Sequence, residues 1–272
     1  MSEISPFSMS STIKRLEKMR KISKIADTPA ILVTSGKGGV GKTLVSANIA
    51  LKLSQNNKRV GLIDCDLRSP NLTYILNIQN KHLKQDIDQS RPPELNRLVE
   101  PYQITPTLEI FSTEHFLERT NHYHESMILF GEVVRSLIDQ SVYAVRWNNP
   151  DIFVMDSDPS TSDVLIELTL IFRKYLSAVV VTTNDISSIF DCERTIDALA
   201  LEKIKILGIL GNMIWNNEDD RIRNLSKMMD VPYLGYIPYR NIIRLNNNQG
   251  IAEIPNYIID FTKITQKIMN QL

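Results

Sequence analysis

The sequence predicts a single-domain, doubly wound α/β fold: a mostly parallel sheet with helices on both faces. Three observations carry this. From Ala30 onward, short apolar runs alternate with stretches of helical spacing. The runs are continuous and rich in β-branched residues, as strands covered on both faces are. A glycine-rich turn with two lysines joins the first run to the first helical stretch, where such sheets place a ligand.

Composition agrees with a chain that buries a real core. Of 272 residues, 43% are hydrophobic and 23% charged. Lys+Arg and Asp+Glu both number 31, so bulk charge does not point to nucleic acid or an acidic surface. The two cysteines, Cys65 and Cys192, lack metal-ligand spacing and suit a reducing compartment. The N-terminus has no signal-peptide apolar core, and no apolar run approaches the roughly 18 residues of a membrane span. A cytoplasmic location is therefore expected.

Residues 1–28 form an N-terminal tail. Residues 1–10 are small and polar. The segment 11–26, STIKRLEKMRKISKIA, reads as a basic amphipathic helix with Ile13, Leu16, Met19, Ile22 and Ile25 on one stripe. It suits a helix docked on the domain, or contact with an anionic membrane surface or nucleic acid. Residues 29–272 form the domain. Its expected strands are AILVTS (30–35), RVGLID (59–64), LEIFS (108–112), DIFVMD (151–156), AVVVTT (178–183), ILGILGN (206–212) and YLGYIP (232–237). TLVSANIALKLSQNN and SSIFDCERTIDALALEK have helical spacing. Residues 77–107 are polar and hold four prolines, which predicts an irregular surface excursion. The last segment places Ile258, Phe261, Ile264, Ile268 and Leu272 at helical spacing, with only Lys263 and Lys267 cationic, so it reads as a helix packed on the core.

Gly36, four residues, then Gly41-Lys42-Thr43 match G-x-x-x-x-G-K-[ST], the phosphate loop of ATP-binding proteins. Glycines let successive N–H groups turn inward to phosphate oxygens, and the helix opening at Lys42 adds its positive end. Gly36, Lys37, Gly38, Gly39, Val40, Gly41, Lys42, Thr43 and Leu44 are thus the expected nucleotide-binding run. Lys42 would reach the β- and γ-phosphates, and Thr43 would offer its hydroxyl to Mg2+. Carboxylates sit at strand ends: Asp64 and Asp66 in GLIDCDLRSPN, Asp156 in DIFVMD, then Asp158 and Asp163. An aspartate like Asp156 holds Mg2+ through water.

Lys37 goes beyond that general motif. KGGVGKT resembles the deviant Walker A signature of the MinD/ParA/Mrp group of dimerising P-loop ATPases. The resemblance implies a homodimer through the nucleotide face, in which Lys37 reaches the partner's nucleotide; the alternative is a solvated loop lysine. It also implies that Asp66 orients the attacking water, with Asp64 near the metal. The alternative for Asp66 is a helix N-cap. Asn212, in GNM, resembles the family asparagine that reads adenine edges, or it caps a strand. YLGYIPYRNIIRLNNNQGI is similar to the family tail that closes over the base, which brings in Pro238 and Tyr239.

DSDPSTSD resembles the D-x-P-P-G-T-G-D switch of the Mrp branch, with Ser160 and Ser162 in place of two glycines. That implies a stiffer switch and slow turnover. Mrp proteins carry iron–sulfur clusters on a C-x-x-C after N-M; this chain has no cysteine there, so no cluster is expected from its own thiols. The expected function is a Mg2+-dependent ATPase that dimerises on ATP and acts as an Mrp-like switch in iron–sulfur cluster or metal-cofactor assembly. The alternative is a partition or positioning ATPase like ParA or MinD, binding DNA or membrane. A third is an adaptor that binds ATP without hydrolysing it. The client protein is not legible.

Overall fold

The first strand, β1 (Ala30–Thr34, AILVT), is buried at every residue. It occupies the middle of an eight-stranded sheet in the computed structural model, which describes residues 23–67, 69–78, 85–87, 97–114, 131–158, 163–215, 219–239 and 255–272. The remaining strands are β2 (Val60–Cys65), β3 (Gln85–Ile87), β4 (Arg97–Val99), β5 (Tyr102–Thr105), β6 (Leu108–Ser112), β7 (Ile152–Ser157), β8 (Leu176–Thr182), β9 (Lys205–Ile214) and β10 (Tyr233–Pro238). The sheet runs β10-β9-β8-β1-β7-β2-β6-β5. All pairs are parallel except the edge pair β5–β6, which is antiparallel.

The helices are α1 (Lys42–Gln55), the single turn α2 (Leu72–Ile75), α3 (Glu132–Tyr143), α4 (Asp163–Phe172), α5 (Ile186–Leu201), α6 (Asp220–Met228) and α7 (Pro255–Gln271). Side chains alternate across a strand, so each central strand feeds two cores. Leu32, Ile63, Phe153, Met155 and Val180 face one side, where Ile138, Leu168, Phe172 and Ile196 from α3, α4 and α5 cover them. Ile31, Val33, Leu62, Val154 and Val181 face the other, under Val45, Ile49 and Leu53 of α1 and Phe261, Ile264 and Ile268 of α7. This two-sided burial explains why the strands read as unbroken apolar runs.

The sequence also called 77–107 an irregular excursion, and its described residues hold regular structure. β3 and β4 form an antiparallel pair, and β5 extends the main sheet. The expected basic helix over 11–26 lies outside the described residues up to Ile22. Its end, Lys24–Asp27, is a 3-10 turn with Ser23 accepting from the Ile25 N–H, and Ala26 is fully buried in the core. Ser160, Ser162 and the tail after Tyr239 also lie outside the described residues. On α7, Phe261, Ile264 and Ile268 are buried, whereas Leu272 is exposed.

β1 is followed in sequence by β2 on one side, while β8 lies on its other side and β7 is inserted between β1 and β2. Chain connections therefore diverge beyond the carboxyl end of β1, the place where open α/β sheets form a crevice.

Candidate functional site

The turn that leaves β1 is shaped by two close approaches. A Cβ on Gly36 would stand 2.2 Å from the Asp191 carbonyl oxygen of α5, so only glycine lets the loop lie on that helix. Gly41 has φ +86° and would put a Cβ 2.3 Å from Asn212 Nδ2. It caps α1 without any side-chain bond and with no acidic residue in the first turn. The helix thus opens with N–H groups that its own side chains do not fill, beside a positive dipole end.

Lys42 is the first residue of α1 and only 6% exposed. Burial lowers its proton affinity below the ordinary 10.5, while the charges of Asp156, Asp66 and Asp158 pull the other way. Asp156, whose charge acts on Lys42, is itself only 1% exposed. Ser46 donates to its Oδ1 across 3.0 Å, and its Oδ2 has no hydrogen-bond partner among the described residues. Burial pushes the Asp156 carboxyl up to about 7, against hydrogen bonds from Thr43 and Ser46 and the nearby Lys42 charge.

Asp64 and Asp156 are register partners on the adjacent strands β2 and β7. Both Asp64 oxygens are in use: Oδ1 accepts from the Asp66 N–H (3.1 Å), and Oδ2 from the Leu72 N–H (3.0 Å) and Ser112 Oγ (3.3 Å). Burial raises its proton affinity well above the usual carboxylate value; the Asp156 charge adds to this and the two N–H bonds oppose it. Asp66 follows the strand, half-buried, and accepts from the Ser69 N–H across 3.0 Å. Leu44, in the first turn of α1, packs against the core, and its carbonyl accepts from the Asn48 side chain.

Lys37 lies 41% exposed on the outer side of the loop. In the single chain its ammonium contacts Asp185 Oδ1 (3.1 Å) and Ser187 Oγ (2.7 Å). Asp185 caps α5, accepting from the Ser188 N–H. Burial would raise the Asp185 carboxyl, but the hydroxyls of Thr183, Ser187 and Ser188 and that N–H outweigh it and hold it well below the usual range.

Asn212, near the end of β9, is buried and donates Nδ2 to the Val40 carbonyl across 2.8 Å. It therefore joins β9 to the phosphate loop. Pro238 ends β10 in register with Ile214, and the Tyr239 N–H donates to the Ile214 carbonyl (2.9 Å). Trp215 and Tyr239 stack, with ring centroids 4.0 Å apart and planes at 19°. A cavity of about 530 Å3 runs from Lys37, Gly38, Gly39 and Val40 past Asn184 and Met213 to this aromatic pair.

The structure brings the loop residues 36–44, Asp64, Asp66 and Asp156 to one end of the sheet, with Asn212, Pro238 and Tyr239 on the side toward β10. Sequence reasoning missed Asp185 with its serines, and Trp215. Both had signals: an Asp-Ile-Ser-Ser helix start directly after a strand, and an aromatic three residues beyond Asn212.

Among the described residues, no three His, Cys, Asp or Glu side chains gather as a metal cage. Mg2+ needs no such cage, because it binds one or two carboxylates plus water and substrate phosphate. Thr43 and Asp156 are hard oxygen donors. The orphaned Asp156 Oδ2, on a carboxyl pushed up to about 7 by burial, is a group that a cation would stabilise.

Comparison with known proteins finds relatives along most of the chain. The ParA family model described as "NUBPL iron-transfer P-loop NTPase" matches residues 28–272. An iron-sulfur cluster carrier protein of Rickettsia typhi is 36% identical over 213 residues, covering 76% of this chain and 60% of that protein. The chain thus spans less than two thirds of that relative's length. The cytosolic Fe-S cluster assembly factor nubp2 of Xenopus laevis is 29% identical over 242 residues, covering 83% of this chain and 86% of its own. Among solved structures, the ADP complex of a nucleotide-binding protein from Archaeoglobus fulgidus superposes with a TM-score of 0.66 at 19% identity, covering 92% of this chain and 96% of that one. That likeness concerns the fold.

Proposed function

The chain belongs to the NUBPL iron-transfer P-loop NTPases of the ParA family, and from that premise we propose a Mg2+-dependent ATPase that dimerises on ATP. In this reading it acts as an Mrp-like switch in iron–sulfur cluster or metal-cofactor assembly, in the cytoplasm. The observation that carries it is a buried Lys42 within the electrostatic reach of a buried, half-satisfied Asp156 beside a glycine loop. Few structural needs explain such a pair, because buried charges are costly unless a partner or ligand completes them.

The loop N–H groups and Lys42 hold the phosphates. Thr43 and Asp156 would hold Mg2+, which when bound neutralises charge on the β- and γ-phosphate oxygens. Asp66 orients a water in line with the γ-phosphorus. The water oxygen bonds to phosphorus as the bond to the bridging oxygen breaks, giving ADP and phosphate. Lys37 of each copy reaches the nucleotide of the other and stabilises charge spreading over the γ-phosphate, as an arginine finger does.

The cluster, in this reading, is cargo held by other ligands. Cys65 and Cys192 are both buried. Burial pushes the Cys192 thiol up to about 12 and that of Cys65 well above its ordinary value, so neither offers a thiolate. The rival reading, a partition ATPase on DNA or membrane, has no feature among the described residues that favours it.

Phosphate release from Mg-ATP, with light scattering in the presence and absence of ATP, tests the proposal. Slow release that Lys42→Ala abolishes, together with a doubled mass on ATP, is the expected result. A chain that stays monomeric with ATP and releases no phosphate overturns it.

A further inference from the structure

We infer that the nucleobase stacks on the face of Trp215 opposite the one that Tyr239 covers. The inference deepens the nucleotide reading above and rests on it. Trp215 and Tyr239 leave the carboxyl ends of neighbouring parallel strands, β9 and β10. The Tyr239 N–H bond to the Ile214 carbonyl fixes the two backbones together at that point. The rings lie 4.0 Å apart and nearly parallel, so each covers one face of the other, and Trp215 stays 60% exposed among the described residues.

Both rings border the cavity whose far wall is the phosphate loop, residues 37–40. A ligand gripped by that loop and extending along the cavity meets the aromatic pair. Trp215 is 60% exposed, whereas the chain's other tryptophan, Trp147, is 8% exposed and packs edge-on against Phe153 in the core. A large ring left in water beside a phosphate-binding loop has apolar area for a ligand to cover. Because Tyr239 already holds it, little side-chain freedom is lost on binding.

The contact sets a class of selectivity. Every base has a π-face, so stacking tolerates base identity and rewards area. Trp215 therefore favours purine over pyrimidine nucleotides and does not itself separate adenine from guanine. One hydrogen-bonding arm of Asn212 is committed to the Val40 carbonyl, which leaves the aromatic platform a large share of base affinity.

Two tryptophans make the test direct. Mg-ADP is titrated into the full chain while tryptophan emission is followed, and calorimetry compares ADP, GDP, CDP and inorganic tripolyphosphate. ADP quenches emission in the wild type and in Trp147→Phe, and Trp215→Phe loses most of the quench. Trp215→Ala weakens ADP and GDP roughly tenfold, CDP less, and leaves tripolyphosphate unchanged. Unchanged ADP binding by Trp215→Ala, or an equal loss for ADP and tripolyphosphate, overturns the platform while the nucleotide site stands. A wild-type chain that binds neither ADP nor tripolyphosphate overturns both.

Discussion

The ammonium of Lys37 lies 3.1 Å from the Asp185 carboxylate, which also caps the helix that follows β8. In the single chain this lysine is thus held by its own subunit, on a half-exposed pair. Such pairs contribute at most about 1 kcal/mol. A tie that weak can be exchanged for a phosphate, which is what the proposed dimer requires.

Replacing Asp185 by Asn therefore lowers the ATP concentration at half-maximal dimer, by roughly two- to fivefold, as read by light scattering. Asn still caps the helix, so melting temperature changes little. Asp185→Ala also removes the cap and costs about 1 kcal/mol of stability. If Asp185→Asn needs more ATP to dimerise than the wild type, the tie supports assembly rather than opposing it.

Lys42→Ala removes the buried cation that faces Asp156, Asp66 and Asp158. A charge-assisted contact with phosphate contributes about 1.5–3 kcal/mol, so ADP affinity drops about 10- to 100-fold in calorimetry. Trp215→Ala with the lysine intact retains tripolyphosphate binding, and Lys42→Ala loses it.

The Asp156 carboxyl, raised by burial from the ordinary 3.8 to about 7, ties stability to pH. Between those values the folded chain holds a proton that the unfolded chain has released. Its contribution is thus fully present below about pH 4 and is lost as pH rises to about 7. In thermal melts without nucleotide, Asp156→Asn gains on the wild type across that window and the gap levels off above it. A constant gap at every pH contradicts this assignment.

Glycine substitutions grade the loop. Gly39 has φ +77° but open space around it, so Gly39→Ala costs only the left-handed backbone, about 1–2 kcal/mol. Gly41→Ala adds a collision with the Asn212 amide that holds Val40, and Gly36→Ala a collision with the α5 backbone at Asp191. Urea denaturation should rank Gly39→Ala as the mildest of the three.

How much of this was legible in the sequence follows from range. β1, β2, β7, β8 and β9 were readable because burial on both faces leaves an unbroken apolar run, and their bounds moved by only a few residues. β5 was missed because an antiparallel edge strand needs no such run, and YQIT is partly polar. The phosphate loop was readable because its chemistry is contiguous. The Lys37–Asp185 contact joins residues 148 apart, and nothing local to either names the other. Trp215 and Tyr239 meet only because β9 and β10 pair in parallel.

Both cysteine thiols are sealed inside the folded chain, Cys65 at the end of β2 and Cys192 within α5. Alkylating reagents will find nothing to react with until a strand or helix lifts. The rate of their uptake is then a clock for local opening next to the phosphate loop, and bound nucleotide should slow it.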